Sequence, residues 1–231
     1  MATKALIIPA AGIGSRMQKD IPKPFLQLGD CTIIEQTIQR FSSLDGLKQV
    51  IVPTSKSYLG ATKEILQKAL PADVEGIVLV GGNTRQESIH KALKEAGDVH
   101  LIIVHDAVRP FVRQEHICNC CEAADLNGGA VLGVPAKDTI KKIDGNRIIR
   151  ETPSRKYLWQ TQTPQVFQKE LLMEAYQKAS EDDFLGTDDS SLVERLGYTV
   201  VMVEGDRSNF KITYPLDLEL AQLLVEKGRG S

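Results

Sequence analysis

Short apolar runs punctuate the chain at residues 5–9, 49–53, 77–80, 101–104 and 130–134. Between them, apolar positions recur at helical spacing over residues 32–44, 58–70, 85–96 and 114–126. Runs that are apolar on both faces, joined by such helices, predict a mainly parallel α/β sheet covered on both sides. Sheets of that kind bind ligands beyond the carboxyl ends of their strands. Chemistry is therefore expected in the residues that follow each run.

The alternation then breaks. Residues 138–151, "DTIKKIDGNRIIRE", place Asp144-Gly145-Asn146 between two short polar–apolar segments, which is a hairpin signal. A two-stranded hairpin is marginal in water, so it must pack on its own domain or on another subunit. A strand at 163–167 follows, then helices at 169–179 and 190–196, a strand at 199–203 and a helix at 216–226. There is no internal repeat and no linker. The expectation is one domain over residues 1–231, with a protruding β-hairpin arm at about 136–156.

Composition narrows the class of partner. The 231 residues are 42% hydrophobic and 25% charged, enough for a full core. Lys and Arg number 28 against 30 acidic residues, so no basic footprint for nucleic acid or an anionic membrane is expected. No apolar run reaches the length of a spanning helix. The first apolar run meets Pro9 and a glycine loop too soon for a signal peptide. Of the four cysteines, Cys118, Cys120 and Cys121 cluster in "HICNCC" beside His116. With no second ligand pair, they read as buried reduced thiols on a helix. A reducing compartment follows, cytoplasmic in a bacterium, or plastid if a transit peptide was removed.

The candidate chemistry begins at "LIIPAAGIGSRMQKDIPKPF", residues 6–25, where an apolar strand enters a loop of small residues. Backbone N–H groups can approach phosphate oxygens there, and Gly12 and Gly14 are the positions for close approach or positive φ. An ordinary strand-to-helix turn would read the same way. Arg16 and Lys23 follow at spacings that fold back over the loop, and Pro22 and Pro24 restrain the backbone around Lys23. Fixed cations suit a leaving group such as pyrophosphate, where one contact aimed at growing charge contributes about 3 kcal/mol. A dinucleotide fingerprint fails, because Met17 stands where its third glycine belongs and the second run ends in Pro53-Thr54-Ser55 without an acid.

A second group lies in "LIIVHDAVRP", residues 101–110. The strand delivers His105 and Asp106 to its carboxyl end, with Arg109 close behind. Asp106 beside a phosphate loop can hold Mg²⁺, or it can cap the following turn. His105 reads as a structural histidine, since attack by an anionic phosphate monoester needs no base.

The segments "PAAGIGSRM", "IPKPFLQLG", "GGNTRQESI", "HDAVRP", "WQTQTPQVF", "TDDSSLVE" and "NFKITYPLDL" resemble the 2-C-methyl-D-erythritol 4-phosphate cytidylyltransferase family, in matching order over nearly the whole chain. The resemblance implies a Rossmann-like nucleotidyltransferase that makes a homodimer through its β-arm. It implies a Mg²⁺-dependent reaction of CTP with methylerythritol phosphate, giving diphosphocytidyl-methylerythritol and pyrophosphate for non-mevalonate isoprenoid synthesis. By that resemblance Arg16 and Lys23 stabilise the transition state. Pro9, Ala10, Ala11, Gly12 and Gly14 surround CTP, and Gly82 and Ser88 lie beside its base and ribose. Asp106 is the metal ligand, and Ala107 and Arg109 lie where nucleotide and sugar phosphate meet. Thr139, Arg155, Thr187 and Lys211 form the acceptor site, with Arg155 and Lys211 holding the attacking phosphate. Because Arg155 directly follows the arm, an arm that crosses over carries it to the partner's site. Pro24, Asn83 and Ser154 depart from the family pattern.

The nearest alternative is ribitol 5-phosphate cytidylyltransferase, which shares the HDAVRP and TPQ stretches. Its loop begins Ala-Gly-Gly, and it lacks the Thr-Asp-Asp present here at 187–189. A non-catalytic nucleotide-binding module would not need Arg16, Lys23, Arg155 and Lys211 together.

Overall fold

A computed structural model describes residues 2–12 and 21–228. Its centre is a seven-stranded sheet. The first strand, β1 (Lys4–Ile7), is flanked by β4 (Leu47–Thr54) and β6 (Leu101–Val104), both parallel to it. Beyond β4 lies β5 (Glu75–Val80), also parallel. On the other side of β6 comes β10 (Trp159–Gln168), antiparallel to β6 and to its other neighbour, β7 (Gly129–Pro135). The edge strand β11 (Val200–Glu204) is parallel to β7. The sheet is thus mainly parallel, with β10 the one reversed strand. Two residues at 27–28 (β2) and two at 31–32 (β3) form a small antiparallel pair that the apolar pattern did not reveal.

Alternation along the strands builds a core on each face. Leu6 and Ile8 point to one face, where they meet Ile34 and Ile38 of α1 (Ile33–Gln39) and Ile117, Cys120 and Cys121 of α4 (Gln114–Asn127). α2 (Leu59–Ala69) adds Leu66 to this layer. Ala5 and Ile7 point to the other face, with Ile89 and Leu93 of α3 (Arg85–Glu95), Leu172 and Tyr176 of α5 (Lys169–Glu181) and Val193 of α6 (Asp189–Arg195). Helices therefore cover both faces, as expected of strands with no solvated side. Burial pushes the Cys121 thiol up to about 12, so Cys120 and Cys121 pack as small apolar side chains. A third cluster, including Leu28, Val108, Ile212 and Leu218, seats α7 (Pro215–Glu226) on the loop after β6.

The sequence signals and the elements agree closely, with two differences. The helix expected at 32–44 ends at Gln39, because Phe41, Ser42 and Leu44 switch to bonds three residues back. That tighter winding keeps Phe41 and Leu44 buried, so the apolar period continues past the helix. The strand expected at 163–167 extends back to Trp159, through a break in its pairing with β7 between Thr161 and Gln165. The hairpin is present as β8 (Lys142–Ile143) and β9 (Ile149–Glu151). Asp144 organises its turn by accepting from the N–H groups of Asn146 and Ile148, and positive φ falls on Arg147. A backbone bond from Ala136 N to Leu158 O, 2.9 Å, closes the neck of this arm. Among the described residues no helix is long and apolar enough to cross a membrane.

Phe41 lies fully buried, with its ring edge-on to His105 at 4.9 Å between centroids. Phe41→Ala should lower unfolding free energy by about 3–5 kcal/mol, read by chemical denaturation. A loss below about 1 kcal/mol would mean that the site collapses around the void.

Candidate active site

The chain adds β4 and β5 to one side of β1, then returns to add β6 on the other. Loops after β1 and β6 therefore diverge, and a crevice opens between them at the carboxyl edge. A cleft of about 310 Å³ occupies that crevice. Pro9, Ala10, Ala11 and Gly12 line it from β1, Gly82 and Ser88 from the β5 side, and Asp106 and Ala107 from β6. Lys23, in a short 3-10 turn at Lys23–Phe25, and Lys211 complete the walls. Ten of the sequence-predicted residues thus meet in one cavity. A larger cavity of about 520 Å³, bordered by α1 and the end of α7, contains none of them.

Local bonds explain how the walls hold their shape. Ala10 continues the β1 ladder by donating its N–H to Pro53 O at 2.8 Å. Gly81 donates to Thr54 O at 2.9 Å, and a Cβ there would come within 2.4 Å of the Ala11 Cβ. The two loops approach so closely that only glycine fits. Thr84 caps α3 by accepting from Glu87 N at 3.0 Å. The Ser88 hydroxyl donates to Thr84 O and accepts from Gly82 N, each at 2.9 Å, and so pins the loop that faces the cleft. Gly12 does not take a left-handed backbone, and no described atom lies within 4 Å of where its Cβ would stand. Gly14 and Arg16 lie outside the described residues.

Asp106 is the electrostatic centre. Its Oδ2 meets Lys211 Nζ at 3.1 Å and Arg109 Nε at 3.2 Å, while Oδ1 faces Arg85 Nε at 3.5 Å. Burial opposes its charge, but Lys211, Arg85 and Arg109 outweigh that and hold the carboxyl well below the usual range. Arg85 in turn makes a bidentate pair with the fully buried Asp189, at 3.1 and 2.8 Å. Lys23, Arg85, Arg109 and Lys211 thus stand in or behind the wall against Asp106 and Asp189. Cations gathered at a concave site suit an anionic ligand. Arg109 also donates to Asn209 O, and Ile212 N donates to Val108 O, which seats the Lys211 segment over the β6 loop.

His105 is structural. Its Nε2 bonds Arg109 O at 3.0 Å and its Nδ1 bonds Thr163 Oγ1 at 3.1 Å. Burial pushes the imidazole down to about 4, so it stays neutral at neutral pH. Thr163 also accepts from Asp106 N at 3.0 Å, fixing the backbone under the carboxylate.

The remaining predicted residues stand apart from the cleft. Arg155 lies on the arm in a turn at Arg155–Tyr157 and donates to Lys137 O at 2.6 Å. Thr139 is exposed on the same arm, and Thr187 is exposed just before α6. Arg85 and Thr163 were not singled out from the sequence. Their signals were present: Arg85 follows the capping Thr84 in "GGNTRQESI", and Thr163 precedes Pro164 in "TPQ".

A doubly covered parallel sheet with a glycine-walled, cation-rich crevice at its switch point defines an α/β protein of the nucleotide-handling class. The family model for 2-C-methyl-D-erythritol 4-phosphate cytidylyltransferase (IspD) matches residues 4–227. The chain belongs to that family. It is 40% identical to the protein of that name from Caldanaerobacter subterraneus subsp. tengcongensis, covering 96% of this chain and 98% of the relative. A relative of the same name from Halalkalibacterium halodurans is also 40% identical, covering 97% and 98%. Among solved structures, 4-diphosphocytidyl-2C-methyl-D-erythritol synthase from Anaerococcus prevotii superposes with a TM-score of 0.87 at 31% identity, covering 97% of this chain and 96% of the other. The Thermus thermophilus 2-C-methyl-D-erythritol 4-phosphate cytidylyltransferase gives a TM-score of 0.79 at 35% identity, covering 98% and 100%.

Thr163→Val keeps the side-chain volume but removes the partner of Asp106 N and His105 Nδ1. Two buried polar groups are then stranded, so stability should fall by about 1–3 kcal/mol in urea denaturation. An unchanged midpoint would mean that the two groups find other partners.

Proposed function

We propose that this chain transfers a cytidylyl group from CTP to 2-C-methyl-D-erythritol 4-phosphate, giving 4-diphosphocytidyl-2-C-methyl-D-erythritol and pyrophosphate. The observation that carries the reading is the convergence of ten residues, from five separate segments, on one cation-rich cleft. Family membership supports the choice of nucleotide and acceptor, and nothing in the comparisons favours ribitol 5-phosphate. Free thiols and the consumption of CTP fit a cytoplasmic setting.

In this reading the backbone of residues 9–12 wraps the triphosphate. The loop pinned by Ser88 presents backbone groups of Gly82 to the cytosine. An oxygen of the acceptor phosphate attacks the α-phosphorus in line. The new O–P bond forms as the bond to the bridging oxygen breaks, and its electron pair leaves with pyrophosphate. Lys23, buried in the cleft wall, meets the charge that grows on the transferring group, with Arg16 assigned the same task. Lys211 holds the acceptor phosphate, which otherwise repels the triphosphate. Positioning and electrostatics suffice, because a phosphate monoester is already an anionic nucleophile.

Asp106 fits Mg²⁺ in the way that ion is usually held, by one or two carboxylates together with substrate phosphates. Among the described residues its Oδ1 meets Arg85 at the longer distance of 3.5 Å, so it is the oxygen that would take the cation. Bound there, Mg²⁺ would neutralise charge on phosphate oxygens.

We also propose a homodimer in which the arm delivers Arg155 to the partner's cleft. Ile140, Ile143, Ile148, Ile149 and Tyr157 are all exposed along this arm, more apolar surface than a lone hairpin can leave in water. Two-fold symmetry then gives each site one Arg155 and one Lys211 from different chains.

Pyrophosphate release should be fast with CTP and methylerythritol phosphate, and slow when UTP or ribitol 5-phosphate is substituted. UTP strands the acceptors that meet the cytosine amino group, at about 1–3 kcal/mol each. Equal turnover with UTP would sink the nucleotide assignment. For the dimer, Arg155→Ala and Lys211→Ala should each be nearly inactive alone. Mixed under conditions of proven subunit exchange, they should regain activity, since half of the heterodimer's sites carry neither defect. Exchange without recovery would place Arg155 in its own chain's site.

A further inference from the structure

The head of α3 grips two parts of the molecule at once. The Arg85 guanidinium reaches Asp106 in the cleft floor with Nε, and Asp189 at the start of α6 with both terminal nitrogens. Asp189 does not itself line the cleft, and the Tyr176 hydroxyl donates to its Oδ1. Next along α3, Gln86 donates to Phe184 O and accepts from Gly186 N, each at 2.9 Å. Residues 184–189, which carry Thr187, are therefore bolted to the helix whose preceding loop faces the nucleotide side of the cleft.

A buried ion pair alone is weak evidence for stability, since apolar residues of like volume often serve as well. This pair has features that stability does not require. Arg85 keeps 34% of its side chain exposed, and it lines the cleft. Its third nitrogen is spent on the carboxylate at the centre of the site. Only a planar fork of fixed geometry can hold both carboxylates this way.

Building on the function proposed above, we propose that Asp189 is a positioning residue: by fixing Arg85 it sets the orientation of Asp106 and the place of the loop that carries Thr187. The two substrates are then held in register by one guanidinium. The acceptor side cannot shift without moving the carboxylate beneath the nucleotide. Gln86 contributes the loop half of this brace without touching Asp106.

The test uses the full chain, with turnover, acceptor KM, direct CTP binding by calorimetry without acceptor, and a thermal melt. Asp189→Asn should lower kcat by about 10- to 100-fold and raise acceptor KM, the scale of loss expected when reacting groups are misplaced by about 1 Å. Direct CTP affinity should change by less than about threefold, because uniform binding is not what is lost. Arg85→Lys should do the same, and the double variant should be no worse than either single one, as expected of groups acting as a unit. Gln86→Ala should raise acceptor KM with kcat largely kept. Tyr176→Phe, which keeps the ring in the core, replaces Asp189→Asn if that variant does not fold, and should lower kcat in the same direction. Wild-type kinetics in the presence of a lowered melt, or additive losses in the double variant, would overturn the brace. A wild-type chain that fails to release pyrophosphate from CTP and methylerythritol phosphate would overturn the functional reading itself.

Discussion

One buried carboxylate organises this molecule's chemistry. Asp106 stands at the end of an apolar strand, where an isolated charge would be costly, and remains ionised because three cations surround it. Those cations come from the head of α3, from the loop after β6, and from the segment before α7. Each element must pack correctly for the charge to be tolerated, so folding and site assembly are one requirement. The carboxylate is less a lone catalytic group than the point to which distant parts of the chain are tied.

The gathering of cations at the cleft follows from the same arrangement. Among the described residues, Asp106 and Asp189 pair with Arg85, Arg109 and Lys211, and Lys23, Arg85 and Lys211 line the cleft. Cations already fixed in a concave, glycine-walled space need no reorganisation to meet an anionic ligand. His105, though adjacent, is held neutral by burial and has both ring nitrogens engaged, so it takes a structural place beside this electrostatic design.

Much of this was legible in the sequence, for physical reasons. Parallel strands buried on both faces leave unbroken apolar runs, so β1, β4, β6 and β7 stood out, and the half-buried edge strand β5 showed through its short apolar run at 77–80. Their carboxyl ends pointed directly to Pro9–Ala11, Gly82 and Asp106. The β2–β3 pair escaped notice because two-residue strands carry no period. The end of α1 was misjudged because a tighter winding keeps the same side chains buried. Arg85 and Thr163 were overlooked for a different reason. Their importance lies in partners far along the chain, Asp189 and Asp106 among them, and spacing within a motif does not encode such pairings.

The reversed direction of β10 has a consequence for how this chain tolerates change. β7 ends, and β10 begins, on the edge of the sheet where ligands are expected, so the segment between them projects from that rim. A single backbone bond at the neck separates it from the sheet. Lengthening, shortening or grafting residues within 137–157 therefore alters what the rim displays while leaving the registers of the seven-stranded sheet intact. The arm is a fitting hung on a fixed chassis, and a change in its length alters a surface without rebuilding the sheet.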